Sequence, residues 1–268
     1  MAQELILAAS GNRGMCVTVH IPTSFQFSIH GATDGFLRSL VCDTYLTLQS
    51  ALRRIAAKSI SCEATCCTSK NIDYSTYYFP TNSFISMLVN VDEHSVLEVG
   101  MIGSEGMCGH EAIWGSAQAP LRALVQGAGH AWRMEFAAFQ RHLENSAAVR
   151  QTMNRYVGIL FRQLAQTAAC TRFHTVEQRL ARWLLMTGDR AHTDSFVVTQ
   201  EFLSFMLGVQ RAGVTRAAGA LQARDLIQYT RGQMDILDRD ALTSVACVCY
   251  QADLSSYQRG LARETYMA

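Results

Sequence analysis

The stretch from Thr199 to Leu237 constrains the fold more than any other part of the chain. Thr199 precedes a short apolar run, Phe202, Phe205 and Met206, with Glu201 in its first turn. That is the pattern of a helix N-terminus, where a hydroxyl accepts from an orphan N–H and an acid meets the positive end of the helix dipole. Leu207-Gly208-Val209 breaks the run, and Gly208 supplies the left-handed residue that a sharp helix-to-helix turn needs. A second helix is predicted from about Gln210 to Ala223, with Val214, Ala218 and Leu221 inward and Gln210, Arg211, Thr215 and Arg216 on other faces. Leu226 to Tyr229 reads as a strand, Arg231-Gly232 as a hairpin tip and Met234 to Leu237 as the return strand. Helix, turn, helix and two-stranded wing is the winged helix-turn-helix layout.

This layout carries a specific chemistry. An α-helix fits the DNA major groove, with its N-terminal residues against base edges. Arg211 has the paired donors that match a guanine, and Gln210 can pair with an adenine. Arg231, at the wing tip, is placed for phosphate. With Thr199, Gln200, Thr215 and Arg216 these form the expected DNA-facing set. Any one arginine alone reads as part of a solvated helix face. Between Gly208 and Gly232, however, four arginines stand against Asp225 alone, a local excess of three positive charges. The whole chain of 268 residues carries only +1, so a nucleic-acid site has to be local. Lys58 and Lys70 are the only lysines among the 23 basic residues, which leaves 21 arginines suited to forked contacts.

Upstream, the length suits two domains, and 49% hydrophobic with 17% charged residues suits packed globular structure. Residues 1–34 lack a sustained period and read as an extension. After a helical entry from Phe36 to Ala56 the pattern is mainly β, with strand candidates ending at Tyr77-Tyr78-Phe79-Pro80 and at Phe84 to Val89, Val96 to Gly100 and Leu121 to Gln126. Glycines at 100, 103, 106 and 109 read as turns, with a backbone lying against a ligand as the alternative. From Ser146 the period becomes helical. Val149, Met153, Tyr156, Leu160, Leu164 and Thr167 recur at alternating steps of four and three, a heptad seam. Its two readings are a helix packed on its own domain and a helix paired with its twin, with Val157 and Phe161 widening the face. Thr175-Val176-Glu177-Gln178 has the form of a capping box that opens another helix, with Trp183 as core, giving out near Gly188-Asp189.

Several segments together resemble bacterial Crp/Fnr-family transcriptional regulators. They are Thr167 to His174, Val176 to Met186, Thr199-Gln-Glu-Phe-Leu203 and Leu207 to Thr215, joined upstream by Tyr78-Phe-Pro80, Glu98-Val-Gly100 and Gly103-Ser-Glu-Gly-Met107. The resemblance covers roughly residues 36 to 250. It implies an α+β fold: an N-terminal cyclic-nucleotide-binding-type, jelly-roll-like β-roll, a long dimerisation helix and a C-terminal winged helix-turn-helix. The expected division is 1–34 extension, 35–145 sensor, 146–172 dimerisation helix and 173–268 DNA-binding domain. The expected function is a homodimeric, sequence-specific regulator on a palindromic operator in double-stranded DNA, controlled by an unidentified small-molecule effector. RNA polymerase stays open as a further partner. Where relatives that bind cyclic AMP carry Gly-Glu and Arg-Ser/Thr, this chain reads Gly109-His110-Glu111 and Leu121-Arg122-Ala123. Gly109, Glu111 and Arg122 are therefore the candidate effector residues, and the lost hydroxyl speaks against cyclic AMP. Ala212 stands where the family has an acidic residue, which removes a carboxylate that would read cytosine.

Other classes have weaker support in the residues. Cys62, Cys66 and Cys67, with Cys108, offer a metal- or redox-responsive sensor as the alternative. Their spacing matches neither an iron–sulfur set nor a zinc pair. Cys170, Cys247 and Cys249 read as small buried residues in helical surroundings. A β-roll metal-dependent enzyme using His94, His110 and His130 lacks a His-x-His pair or a His-Glu-x-x-His helix. No catalytic set, metal-ligand set or certain cofactor is assigned. The absence of a secretory pattern or a long apolar run leads to the expectation of a cytoplasmic protein with free thiols and no membrane partner.

Overall fold

In a computed structural model of the chain, residues 59–62, 76–92, 95–116, 120–126 and 129–261 are described. The N-terminal extension, the helical entry, His94 and the Cys66-Cys67 pair lie outside them. Two three-stranded antiparallel sheets open the described chain. One joins β1 (Ser59–Cys62), β6 (Gly129–Glu135) and β2 (Thr76–Pro80) in that order. The other joins β4 (Val96–Ile102), β3 (Phe84–Asn90) and β5 (Arg122–Gln126). A 3-10 turn, His110–Trp114, lies between β4 and β5, bounded by left-handed Gly109 and Gly115. All four strand candidates of this half fall within two residues of their places. β6 carries no distinct signal in the sequence.

The sheets enclose a core of Tyr77, Phe79, Ile85, Met87, Ile102, Val125, Met134 and Phe139. β3 explains its own composition. Phe84 to Leu88 is buried throughout, because Ile85 and Met87 face the roll interior while Phe84 and Leu88 face the helices beyond. A strand covered on both sides loses the alternation of a half-exposed one.

Helix α1 (Phe136–Asn145) leads into α2 (Ala147–Phe173), capped by the Ser146 side chain. Its heptad seam packs within the chain. Met153, Tyr156 and Leu160 are 1–2% exposed and join the roll core, with Val149 and Leu164 at its margin. Thr167 accepts from Arg182. Met153, Tyr156 and Leu160 thus have the intrachain packing of the first reading, while Val149, Leu164 and Thr167 are only partly buried.

Thr175 and Gln178 make the expected reciprocal cap of α3 (Val176–Ala191). This helix continues through Gly188, where a side chain would press on Arg239 and on the Thr193 carbonyl, both at 3.1 Å. It ends at His192, which takes the left-handed position with φ 54°. A strand absent from the sequence reading, β7 (Ser195–Val197), precedes α4 (Gln200–Leu207) and α5 (Arg211–Gln222). β8 (Ile227–Thr230) and β9 (Gln233–Ile236) pair antiparallel, with β7 on the far side of β9. Two further helices follow: α6 (Arg239–Val245) packs on α3, and α7 (Cys249–Leu261) returns the chain along α2. No helix among the described residues is long and apolar enough to cross a membrane.

Gly103 to Gly106 closes a turn, with the Gly106 N–H 3.1 Å from the Gly103 carbonyl, and Gly109 is left-handed, as the turn reading expects; the series also has a second role. A side chain at Gly100 would meet Gln163, one at Gly103 would meet Arg190, and one at Gly106 would meet Tyr156. Their bare backbone lets α2 and α3 lie against the roll. Gln163 accepts from the Met101 N–H at 2.9 Å, and Tyr156 donates to the Met107 carbonyl at 3.2 Å.

Candidate nucleic-acid interface and sensor pocket

Local rules build the helix-turn-helix. The Thr199 hydroxyl accepts from the Phe202 N–H at 3.1 Å and starts α4. Gly208 ends it with φ 59°, and Gln210 occupies the N-cap of α5. Val214, Ala217, Ala218 and Leu221 bury the inner face of α5 against a core that includes Leu180, Leu184, Leu203 and Ile227. Its outer face exposes Gln210, Arg211, Ala212, Thr215 and Arg216. The Thr215 hydroxyl bridges to Gln200 Oε1 at 2.9 Å and lies 3.1 Å from the Arg211 carbonyl, so the start of α4 and the start of α5 present one polar surface. Arg231 is exposed at the wing tip with φ 52°, followed by Gly232 at 88°. Two successive left-handed residues give the tight turn that a two-residue hairpin requires. Thr199, Gln200, Gln210, Arg211, Thr215, Arg216 and Arg231 thus all lie on the α4–α5 and wing part of the molecule, and six of the seven are exposed, Gln200 partly so.

This unit is held to the roll by a buried polar patch. Ser86, Glu98 and Gln126 come from three neighbouring strands. Trp183 Nε1–H donates to Glu98 Oε1 at 3.1 Å, and the Ser86 hydroxyl donates to Glu98 Oε2 at 2.5 Å. Burial raises the Glu98 carboxyl to about 7, against the opposing pull of the Ser86 and Trp183 hydrogen bonds and of Arg190 and Arg182. Arg190 pairs with Glu105 at 2.8 Å, and a side chain on Gly208 would stand 2.8 Å from Leu97. Arg179 also donates to the Leu207 carbonyl. The sequence marked Trp183 as core but gave no sign that its indole meets a buried carboxyl 85 residues away.

The candidate effector residues converge. Gly109, Glu111 and Arg122 line one small cavity with His110, Met87 and Ile102. Its volume is about 10 Å³, room for roughly one water. His110 Nε2 lies 3.4 Å from Glu111 Oε1, while His110 Nδ1 and Glu111 Oε2 are buried with no hydrogen-bond partner. Burial pushes His110 down to about 4 and Glu111 upward. Of the alternative cysteine sensor, Cys62 ends β1 and Cys108 is buried in the roll.

A family model described as the Crp-like helix-turn-helix domain matches residues 178–245. No curated protein sequence matches the chain. Among solved structures, FixK2 from Bradyrhizobium japonicum is 12% identical, with a TM-score of 0.61 over 71% of this chain and 97% of its own. The c-di-GMP-responsive global regulator CLP from Xanthomonas campestris is 15% identical, with 0.58 over 72% and 98%. A CRP-family transcriptional regulator from Thermus thermophilus is 17% identical, with 0.58 over 70% and 96%. At such identities the likeness establishes the fold.

Proposed function

We propose that this chain, which has the Crp/Fnr regulator fold and carries a Crp-like helix-turn-helix domain at residues 178–245, is a homodimeric, sequence-specific transcriptional regulator governed by its β-roll. One observation carries the reading. α5 is anchored by a wholly apolar inner face and leaves Gln210, Arg211, Thr215 and Arg216 exposed, with Arg231 on the adjoining wing. Arg211 and Gln210, at the start of the helix, are the base-reading pair. Arg216, Arg231 and the amide of Gln200, whose oxygen is already engaged by Thr215, face phosphates.

Dimerisation falls to the outer face of α2, because the inner seam is filled by the chain's own core. Ala147, Gln151, Asn154, Gly158, Phe161, Ala165, Ala168 and Arg172 are all exposed and repeat at heptad spacing, with Phe161 71% exposed. The sensor input enters at the Gly109, Glu111 and Arg122 cavity. Its size and its buried carboxyl suit a small or neutral ligand better than a cyclic nucleotide, and filling it displaces the 3-10 turn that closes it. Relay then follows Glu98, Trp183 and the Leu97 contact to Gly208.

Selection of bound fragments from a random DNA pool tests the reading. The expected product is a two-fold symmetric site with half-sites about one helical turn apart. Retention of random DNA as strongly as the selected pool rejects a specific regulator.

A further inference from the structure

Among the described residues, one group of histidine, cysteine or carboxylate side chains stands close enough to share an ion: Cys170, His174, Cys247 and Cys249. Their ligand atoms all lie within 4.8 Å of one another. Cys170 and His174 are one helical turn apart at the end of α2, so both project from the same face. Cys247 and Cys249 arrive from the α6–α7 junction, more than 70 residues later. The three sulfurs form a buried cluster of their own, apart from the two main cores.

We infer that Cys170, His174, Cys247 and Cys249 constitute a tetrahedral binding site for a thiophilic divalent cation, zinc above all. The spacing is that of such a site. Bond lengths of ~2.3 Å to sulfur and ~2.0–2.1 Å to nitrogen put neighbouring ligands of a zinc tetrahedron roughly 3.5–3.8 Å apart. Here Cys170 Sγ lies 3.5 Å from Cys247 Sγ, and Cys249 Sγ lies 3.5 Å from His174 Nδ1. Three sulfurs and one imidazole are a soft donor set that selects zinc over calcium or magnesium. Four protein ligands leave no open position, which marks a structural rather than a catalytic centre. The surroundings support charge on sulfur: Gln166 Nε2–H donates to Cys249 Sγ at 3.0 Å, as outer-shell donors around metal thiolates do.

Position gives the site its consequence. His174 is the residue between α2 and the Thr175 cap of α3, the elbow from which the helix-turn-helix is carried. An ion bound there clamps that elbow to the α6–α7 junction and fixes the direction in which α3 leaves α2. The site stands independently of the DNA-binding reading and of the Cys62, Cys66 and Cys67 set.

Cobalt(II) titration of the full chain, purified reduced and stripped with chelator, tests it. The expected result is one cobalt per chain, with a thiolate charge-transfer band and the intense visible bands of a tetrahedral site, displaced by one equivalent of zinc. Zinc also raises the melting temperature, because it binds the folded state. The Cys170→Ser/Cys247→Ser double variant abolishes that spectrum, whereas Cys108→Ser leaves it unchanged. Should the double variant fail to fold, His174→Cys decides: it keeps the stoichiometry and intensifies the charge-transfer band. No tetrahedral spectrum in the wild type, the same spectrum from a folded double variant, or an unaltered spectrum in His174→Cys overturns the assignment. So does a Cys170–Cys247 disulfide that persists in reductant and excludes the metal.

Discussion

At the scale of single residues, position on an element decides what a charge does. Arg211 and Arg182 carry the same guanidinium. Arg211 is exposed at the first turn of α5, while Arg182 is buried and paired with Asp253 at 2.6 Å. Arg211→Ala is therefore expected to leave folding intact and to relax sequence preference at one base pair per half-site, by about 1–3 kcal/mol. Competition binding on singly substituted operators checks this, and an unchanged preference assigns Arg211 to phosphate. Glu98 makes a second prediction. Its folded value of about 7 lies above the ordinary 4.5, so the native state holds the proton more firmly than the unfolded chain does. The stabilisation is complete below the unfolded value and is lost as pH rises through about 7. Melting curves from about pH 5 to 8 should fall more steeply for the wild type than for Glu98→Gln, which stays neutral and still accepts from Trp183. Parallel curves contradict the raised carboxyl. The role proposed for Arg211 was legible in the sequence; the burial of Glu98 was not, because it stands between apolar neighbours in an ordinary strand pattern.

At the scale of elements, α2 shows what periodicity reveals and what it hides. The 149-153-156-160-164-167 seam was visible because its residues are large and apolar. The exposed stripe that repeats beside it is built on Gly158, Ala165 and Ala168, whose small side chains add little to any hydrophobic pattern, and only Phe161 stands out. Spacing alone could not say which seam faces inward. The two faces predict opposite outcomes. Met153→Ala empties a buried site in the roll core and should cost about 2–5 kcal/mol in denaturant unfolding. Phe161→Asp should leave unfolding nearly unchanged and convert the proposed dimer to monomer in light scattering. If Phe161→Asp remains dimeric, the partner binds elsewhere. Capping box, left-handed Gly208 and wing tip were all readable because each is settled within a few residues. The Cys170 and His174 pair was not, since its partners arrive only after the whole helix-turn-helix has been traversed.

The whole molecule has a formal charge of +1 and nonetheless concentrates positive charge on α5 and the wing. Binding to DNA should weaken steeply with salt, and Arg231→Ala should reduce the slope of log affinity against log salt by about one, as for a single released counterion. Measuring retention from low to physiological salt tests this, and equal slopes remove Arg231 from the phosphate contacts. Domain order was legible as a succession of patterns, but the docking of one half on the other was not. The outer face of the β4–β3–β5 sheet supplies Phe84, Leu88, Met101 and Leu124 to the core that also holds Trp183, Leu203 and Leu221. That sheet is therefore a floor common to two rooms. Neither half is portable: a reader domain transplanted from another regulator would meet a floor cut for different furniture. A chimaera that folds would have to bring the matching strand residues with it.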